Sequence, residues 1–145
     1  MESVSHLEAL SIYQTQAIHK PLIDALTGQS GMELTHIFER RQDVARFAIA
    51  YAINKHIDPN KIQNKINNPV EGSRAGDPKD RTDWNTSQIE PSSQFQDMVK
   101  IMYSELVIAH HPTKLVQALM LIGLDLLQEE FNKSQMLSPS ALKPN

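Results

Sequence analysis

Two stretches of the chain carry apolar side chains at almost every position. The first is predicted as a helix over about 38–56, and its apolar middle contains Arg46 as the only charged side chain. The second is predicted over about 113–130, with Gln117 and Asp125 as the only strongly polar side chains of its central part. A helix that is apolar on nearly every face has to be surrounded by protein. The pattern therefore predicts two central helices packed against each other.

Shorter segments flank these two helices. Residues 20–28 combine a first-turn proline, a one-sided apolar face and a terminal glycine, so they predict a short helix that ends at Gly28. A further short helix is expected over 59–66, and residues 94–108 show the three- and four-residue spacing of an amphipathic helix. Residues 6–16 fit either a helix or a short strand, and we favour the helix.

Residues 67–93 differ in composition from the rest of the chain. Gly, Pro, Ser, Asn and Asp dominate there, and few apolar residues remain. This composition predicts a long polar connector, which is either a mobile surface loop or a loop with a binding function. Trp84 is the candidate binding residue of this loop, because a lone tryptophan in a polar loop often anchors the loop to a groove or to a partner. Residues 134–145 are expected to form a flexible tail, so a single helical domain is predicted over 1–133.

Composition narrows the class of protein. The chain has 145 residues, a net charge of -3 and no cysteine, which excludes disulfides, thiol catalysis and cysteine-bound zinc. The first residues are polar and acidic, unlike a signal peptide, and no apolar run approaches the roughly 20 residues that span a bilayer. We therefore expect a cytoplasmic, soluble, all-α helical bundle with no membrane partner. Two apolar helices in so small a chain also predict a homo-oligomer.

Motifs for catalysis or cofactor binding are missing from the sequence. There is no phosphate-binding glycine loop, no GxSxG elbow, no HExxH and no EF-hand pattern. His110 and His111 form the only histidine cluster, and adjacent histidines rarely bind the same metal. We expect them at a helix end, where an imidazole interacts favourably with the helix dipole. The sequence thus predicts no catalytic residues, no metal site and no cofactor.

Two charged residues stand inside the apolar helices, Arg46 in the first and Asp125 in the second. A buried charge is costly unless it is paired. We therefore expect that Arg46 and Asp125 either form an ion pair between the two helices or each reach the solvent-exposed rim of the helix packing.

Basic residues of the N-terminal half suggest a surface for nucleic acid. The candidates for phosphate contacts are Arg40, Arg41, Arg46, Lys55 and Lys61. Arginines at the start of a helix can bind phosphates with help from the helix dipole. The acidic neighbours Glu39 and Asp43 weaken that field, so a solvated first turn is an equally good interpretation.

A family resemblance covers about half of the chain. A short helix ending in Gly28, a turn and the run Phe38–Tyr51 resemble the ribbon-helix-helix-like half of small accessory proteins of bacterial DNA phosphorothioation (Dnd) systems, including DndE-like proteins. The stretch Leu115–Leu127, with its Gly-Leu-x-x-Leu end, is similar to the closing helix of such proteins. The resemblance implies a small, helical, oligomeric accessory protein of a DNA-modification or restriction system with a role in defence.

Two functions follow as expectations. The first is a non-enzymatic accessory protein that associates with the DNA backbone, with a larger catalytic protein of the same system, or with both. The alternative is a helical oligomeric protein-interaction module with no nucleic-acid contact. An enzyme is the least expected, because the sequence offers no set of acids or histidines from which to build a site.

Overall fold

The computed structural model describes residues 8–28, 37–68 and 80–136. Within these ranges the chain is mostly helical, as predicted, and it also contains a small antiparallel sheet. In chain order the elements are β1 (Ile12–Gln14), α1 (Lys20–Leu26), α2 (Arg41–Asn54), α3 (Pro59–Asn67), β2 (Asp83–Asn85), α4 (Thr86–Ile89), α5 (Gln94–Met102) and α6 (Pro112–Met136), with 3-10 turns at Ala17–His19 and Leu106–Ile108. No helix in the described ranges is long and apolar enough to cross a membrane.

Helices α2 and α6 form the centre of the fold, and the prediction that they pack against each other is confirmed. Their closest approach is at Gly123, where an added Cβ would lie 2.0 Å from the backbone oxygen of Ala48. Glycine inside a helix is unfavourable by about 1 kcal/mol relative to alanine. Here it allows the two backbones to touch. Helix α6 is buried on nearly every face from Leu115 to Leu124, as its sequence requires.

Helix α2 departs from the prediction in its bounds and in its burial. It begins at Arg41 and ends at Asn54, because Arg40 has an extended backbone and Lys55 ends the helix. Buried residues such as Ala48 and Ile49 line the side that faces α6. Phe47 on the opposite side is 44% exposed, so the expectation that protein surrounds this helix on every face is wrong.

Residues around the two central helices confirm the predicted start and end of the short first helix and correct the start of the expected tail. Helix α1 has Pro21 in its first turn, and Gly28 takes a positive φ of 78° just after it ends. Asp58 caps α3 by accepting a hydrogen bond from the backbone N–H of Asn60 at 2.8 Å. Helix α6 continues to Met136, so the first residues of the expected tail are helical, and residues 137–145 lie outside the described residues.

The small sheet accounts for two segments that the sequence placed elsewhere. β1 lies in the segment for which we favoured a helix, so the strand alternative is the correct one. β2 and α4 lie in the expected connector, of which residues 69–79 are outside the described ranges. The strands pair antiparallel, with Tyr13 opposite Trp84. Both aromatic side chains are buried in the core, so Trp84 anchors its own chain and has little surface left for a partner.

Glu90 fixes the start of α5 from inside the protein. Its carboxylate is buried and accepts hydrogen bonds from the Tyr13 hydroxyl and from the backbone N–H groups of Phe95 and Gln96, the last two at 2.9 Å. A carboxylate at a helix N-terminus also interacts favourably with the helix dipole. Burial raises the pKa of Tyr13, and the hydrogen bond and negative charge of Glu90 raise it further. Helix α5 itself ends at Met102, earlier than the predicted 108.

Candidate functional site

Three aromatic side chains form a row along the solvent side of α2. The ring centres of Phe38 and Phe47 are 5.5 Å apart, and those of Phe47 and Tyr51 are 6.0 Å apart. Residues four apart on a helix are neighbours, which explains the second contact. Ala50 is also exposed and flanks Phe47 on the helix surface. The exposed face of α2 is therefore an apolar stripe, which we call the aromatic row (Phe38, Phe47, Tyr51).

An apolar groove adjoins the aromatic row where α1, α2 and α6 converge. Its volume is about 440 Å³. The described lining residues are Leu22, Leu26, Ile37, Phe38, Phe47, Leu127, Glu130 and Phe131. Ile37 is 68% exposed, and the one charged lining residue, Glu130, forms an ion pair with Lys133 at 3.5 Å. Large contiguous apolar surfaces of this kind commonly mark sites of protein interaction or ligand binding.

The arginines expected to bind phosphates are occupied by carboxylates of the same chain. Arg40 lies 3.4 Å from Asp43, and Arg41 lies 2.8 Å from Asp24 on α1. Arg46 lies 2.7 Å from Asp43. Each of these pairs reduces the net positive field that a phosphate would meet. The acidic neighbour noticed in the sequence, Asp43, thus lies within ion-pair distance of two of the three arginines and offsets part of their charge.

Arg46 and Asp125 reach separate rims instead of pairing with each other. Arg46 donates a further hydrogen bond from Nε to the backbone oxygen of Ile89 at 3.0 Å, which ties α2 to the end of α4. Asp125 accepts a hydrogen bond from His19 and lies 3.6 Å from Lys65. The ion pair between the two central helices was therefore the wrong alternative, and the rim positions are correct.

The two candidate lysines lie away from the arginines. The ammonium of Lys55 is 5.1 Å from the centre of the Tyr51 ring, a cation–π contact at the far end of α2. Arg40 and Lys55 lie at opposite ends of this helix, about 20 Å apart at 1.5 Å per residue. Lys61 is exposed on α3 beside a cavity that His19, Lys65 and Asp125 also line. The five predicted residues thus do not converge on one point.

His19 forms a buried polar contact that the sequence analysis missed. Its side chain is 1% exposed, and Nε2 lies 2.8 Å from the Asp125 carboxylate. The backbone N–H of Gln16 donates to Nδ1 at 3.3 Å. This pattern makes Nε2–H the donor to Asp125, and both ring nitrogens are occupied. A histidine in this state ties the first 3-10 turn to α6 and has no free nitrogen with which to accept a substrate proton.

His110 and His111 lie just before α6, at its N-terminal end. His110 bonds to Gln63 through Nε2 at 3.0 Å, and Nδ1 of His111 accepts from the backbone N–H of Thr113 at 3.2 Å. Burial lowers the pKa of His111, and the positive charges of Lys100 and Lys114 lower it further. A neutral His111 therefore caps the helix, whereas the sequence suggested a favourable charge–dipole contact. In the described ranges, no three His, Cys, Asp or Glu side chains are grouped closely enough to hold a metal ion.

No family model, no curated protein and no solved structure matches this chain.

Proposed function

We propose that this protein is a non-enzymatic, helical interaction module that associates with a second copy of itself through the exposed face of α2. The observation that supports this proposal is the aromatic row beside an apolar groove, in which Phe47 is exposed while Phe38 and Tyr51 are half-buried. Covering such a surface removes apolar area from water, which contributes about 25 cal/mol per Å². Phe47 and Tyr51, four residues apart, have the spacing of a helix–helix seam.

Charge complementarity favours a second copy as the occupant. In an antiparallel pair of α2 helices centred midway between Phe47 and Tyr51, Phe47 of each copy faces Tyr51 of the other. The same register places Asp43 opposite Lys55 at both ends, because a two-fold interface repeats each contact. Lys55 has no carboxylate within ion-pair distance among the described residues, so it is available for this contact. The two-fold arrangement thus covers the apolar groups and brings Lys55 to Asp43, which already pairs with Arg40 and Arg46 of its own chain.

Association with the DNA backbone is the function with less support. Arg40, Arg41 and Arg46 are engaged by Asp24 and Asp43, and the whole chain carries a net charge of -3. Nucleic-acid-binding domains usually show a clustered basic face. A place in a DNA-modification or restriction system, as the Dnd resemblance implies, stays a proposal, as does recruitment of a larger catalytic partner. Both are compatible with a self-associating module.

Solution mass tests the proposal directly. Sedimentation equilibrium of the full chain should give a dimer, and Phe47→Glu should give a monomer because two buried carboxylates would face an apolar surface. Ile101→Glu is the matched control, since Ile101 is 82% exposed on α5, away from the aromatic row. Lys55→Glu should weaken the dimer by placing a carboxylate opposite Asp43.

The outcomes separate the possible occupants. Circular dichroism of each variant establishes that the monomers remain folded. A wild-type chain that stays monomeric at the highest concentration would exclude the second copy and leave a different polypeptide as the occupant. Loss of the dimer in Ile101→Glu with retention in Phe47→Glu would place the interface on α5 and contradict the proposal.

A further inference from the structure

Two adjoining cavities form a cleft along one side of α6, away from the aromatic row. Their volumes are about 210 Å³ and about 230 Å³. Both cavities are lined by Leu10, Gln117 and Leu121, so they share one wall. We call this feature the α6 cleft.

The segment around β1 forms one wall of the α6 cleft and is held firmly. Gln117 accepts a hydrogen bond from the backbone N–H of Gln14 at 2.8 Å and donates one to the Gln14 oxygen at 2.7 Å. Leu10 donates from its backbone N–H to the Thr113 hydroxyl at 2.8 Å. These contacts fix the wall to α6. They also use the Gln117 amide, so this side chain is part of the wall and not a free donor.

Arg81 lines the same cleft, and one nitrogen of its guanidinium is closed to solvent, so an anion in the cleft would meet the other guanidinium nitrogens. The Nε of Arg81 is buried and has no hydrogen-bond partner. The neighbouring residue is fixed, because Thr82 donates its backbone N–H to the Thr15 hydroxyl at 2.9 Å and accepts from the Thr15 N–H at 3.0 Å. Leaving a buried charged donor without an acceptor is costly, and proteins rarely do so without a reason.

The lining of the cleft is cationic and apolar. Lys114 lines the second cavity, as does Lys65, and no carboxylate of the described residues lines either cavity. Leu10, Ile12 and Leu121 supply the apolar walls. We propose that the α6 cleft binds a small amphipathic anion, whose carboxylate is paired with Arg81 while its hydrocarbon chain lies against the leucines. A guanidinium suits a carboxylate because it offers several donors in one plane.

Calorimetric titration of the full chain with octanoate tests the assignment. Octanoate should bind saturably. 1-Octanol has the same hydrocarbon chain without the charge, and inorganic phosphate has charge without a hydrocarbon chain. Both should bind far more weakly than octanoate. Arg81→Gln should weaken octanoate binding roughly ten- to hundredfold, as expected for loss of a charge-assisted hydrogen bond. Arg40→Gln is the matched control, since Arg40 is an exposed arginine elsewhere, and it should leave the affinity unchanged.

Each alternative result overturns the proposal. Equal binding of octanol and octanoate would show that Arg81 selects no charge, and phosphate binding as tight as octanoate would exclude the apolar part. Equal affinities of the Arg81→Gln and Arg40→Gln proteins would remove Arg81 from the site. Arg81→Gln is expected to fold, because the side chain it replaces has an unsatisfied nitrogen, and its urea midpoint verifies this.

Discussion

Replacing Gly123 by alanine should destabilise the protein, although alanine is the better helix former. The added Cβ would lie 2.0 Å from the Ala48 oxygen and 2.6 Å from its carbonyl carbon. Non-bonded carbon and oxygen atoms do not approach this closely, so α2 and α6 must separate by about 1 Å at their crossing. A gap of that size loses a quarter to a half of the dispersion attraction of each contact across it.

The magnitude follows from two opposing effects. Overpacking a well-packed core costs about 1–3 kcal/mol and occasionally more, and a clash with backbone belongs at the upper end because no side chain can move aside. The gain in helix propensity from glycine to alanine offsets about 1 kcal/mol of this. We therefore expect a net loss of about 2 kcal/mol or more in the free energy of unfolding.

Urea unfolding followed by circular dichroism measures this difference. Glu129→Gly compared with Glu129→Ala calibrates the propensity effect, because Glu129 is exposed on α6 outside the proposed α2 interface, and the two proteins should differ by about 1 kcal/mol. Ala48→Gly combined with Gly123→Ala should not restore stability, since the clash is with the backbone of Ala48. A Gly123→Ala protein as stable as the wild type would refute the close backbone contact between α2 and α6.

Three further predictions concern the cap of α5, the cap of α6 and nucleic acid. Glu90→Ala removes the acceptor of three buried donors and should cost about 3 kcal/mol or more in urea unfolding, whereas the exposed Glu105→Ala should be nearly neutral. Because the pKa of His111 is lowered in the folded protein, the unfolded chain takes up a proton first as the pH falls below about 6.5, and the free energy of unfolding decreases there. His111→Asn can cap the helix but does not titrate. Unfolding curves between pH 7.5 and 5 should therefore show a smaller loss of stability for His111→Asn. If phosphate contacts exist, binding to a labelled duplex should weaken steeply with salt and with Arg40→Ala/Arg41→Ala; no binding at low salt would exclude the DNA function.

The two central helices could be predicted because their apolar pattern leaves no polar face to expose. The same argument failed for one side of α2. Phe47 and Tyr51 look like core residues in the sequence, and periodicity cannot tell an apolar face covered by the same chain from one left for a partner. The solvent exposure of Phe47 emerges only when the position of α6 is known.

Contacts between distant segments account for the other differences. Three-residue strands such as β1 and β2 have too few positions to show an alternating pattern, and the pairing of Tyr13 with Trp84 joins segments far apart in the sequence. The partner of Arg41, Asp24, comes from another helix in the same way. Nothing in the polar segment around Arg81 indicates that its guanidinium will be buried beside α6.

Cross-linking through introduced cysteines tests the self-association of α2 most directly, because the natural chain has no cysteine. In the proposed register, position 47 of one copy faces position 51 of the other. Helices packed 8–10 Å apart bring facing Cα atoms within the roughly 4.4–6.8 Å that a disulfide requires. An equimolar mixture of Phe47→Cys and Tyr51→Cys chains should therefore form a covalent dimer under mild oxidation, while the exposed Ser104→Cys chain should stay monomeric. Equal cross-linking of the mixture and of the Ser104→Cys chain, or none in the mixture, would contradict the α2 interface.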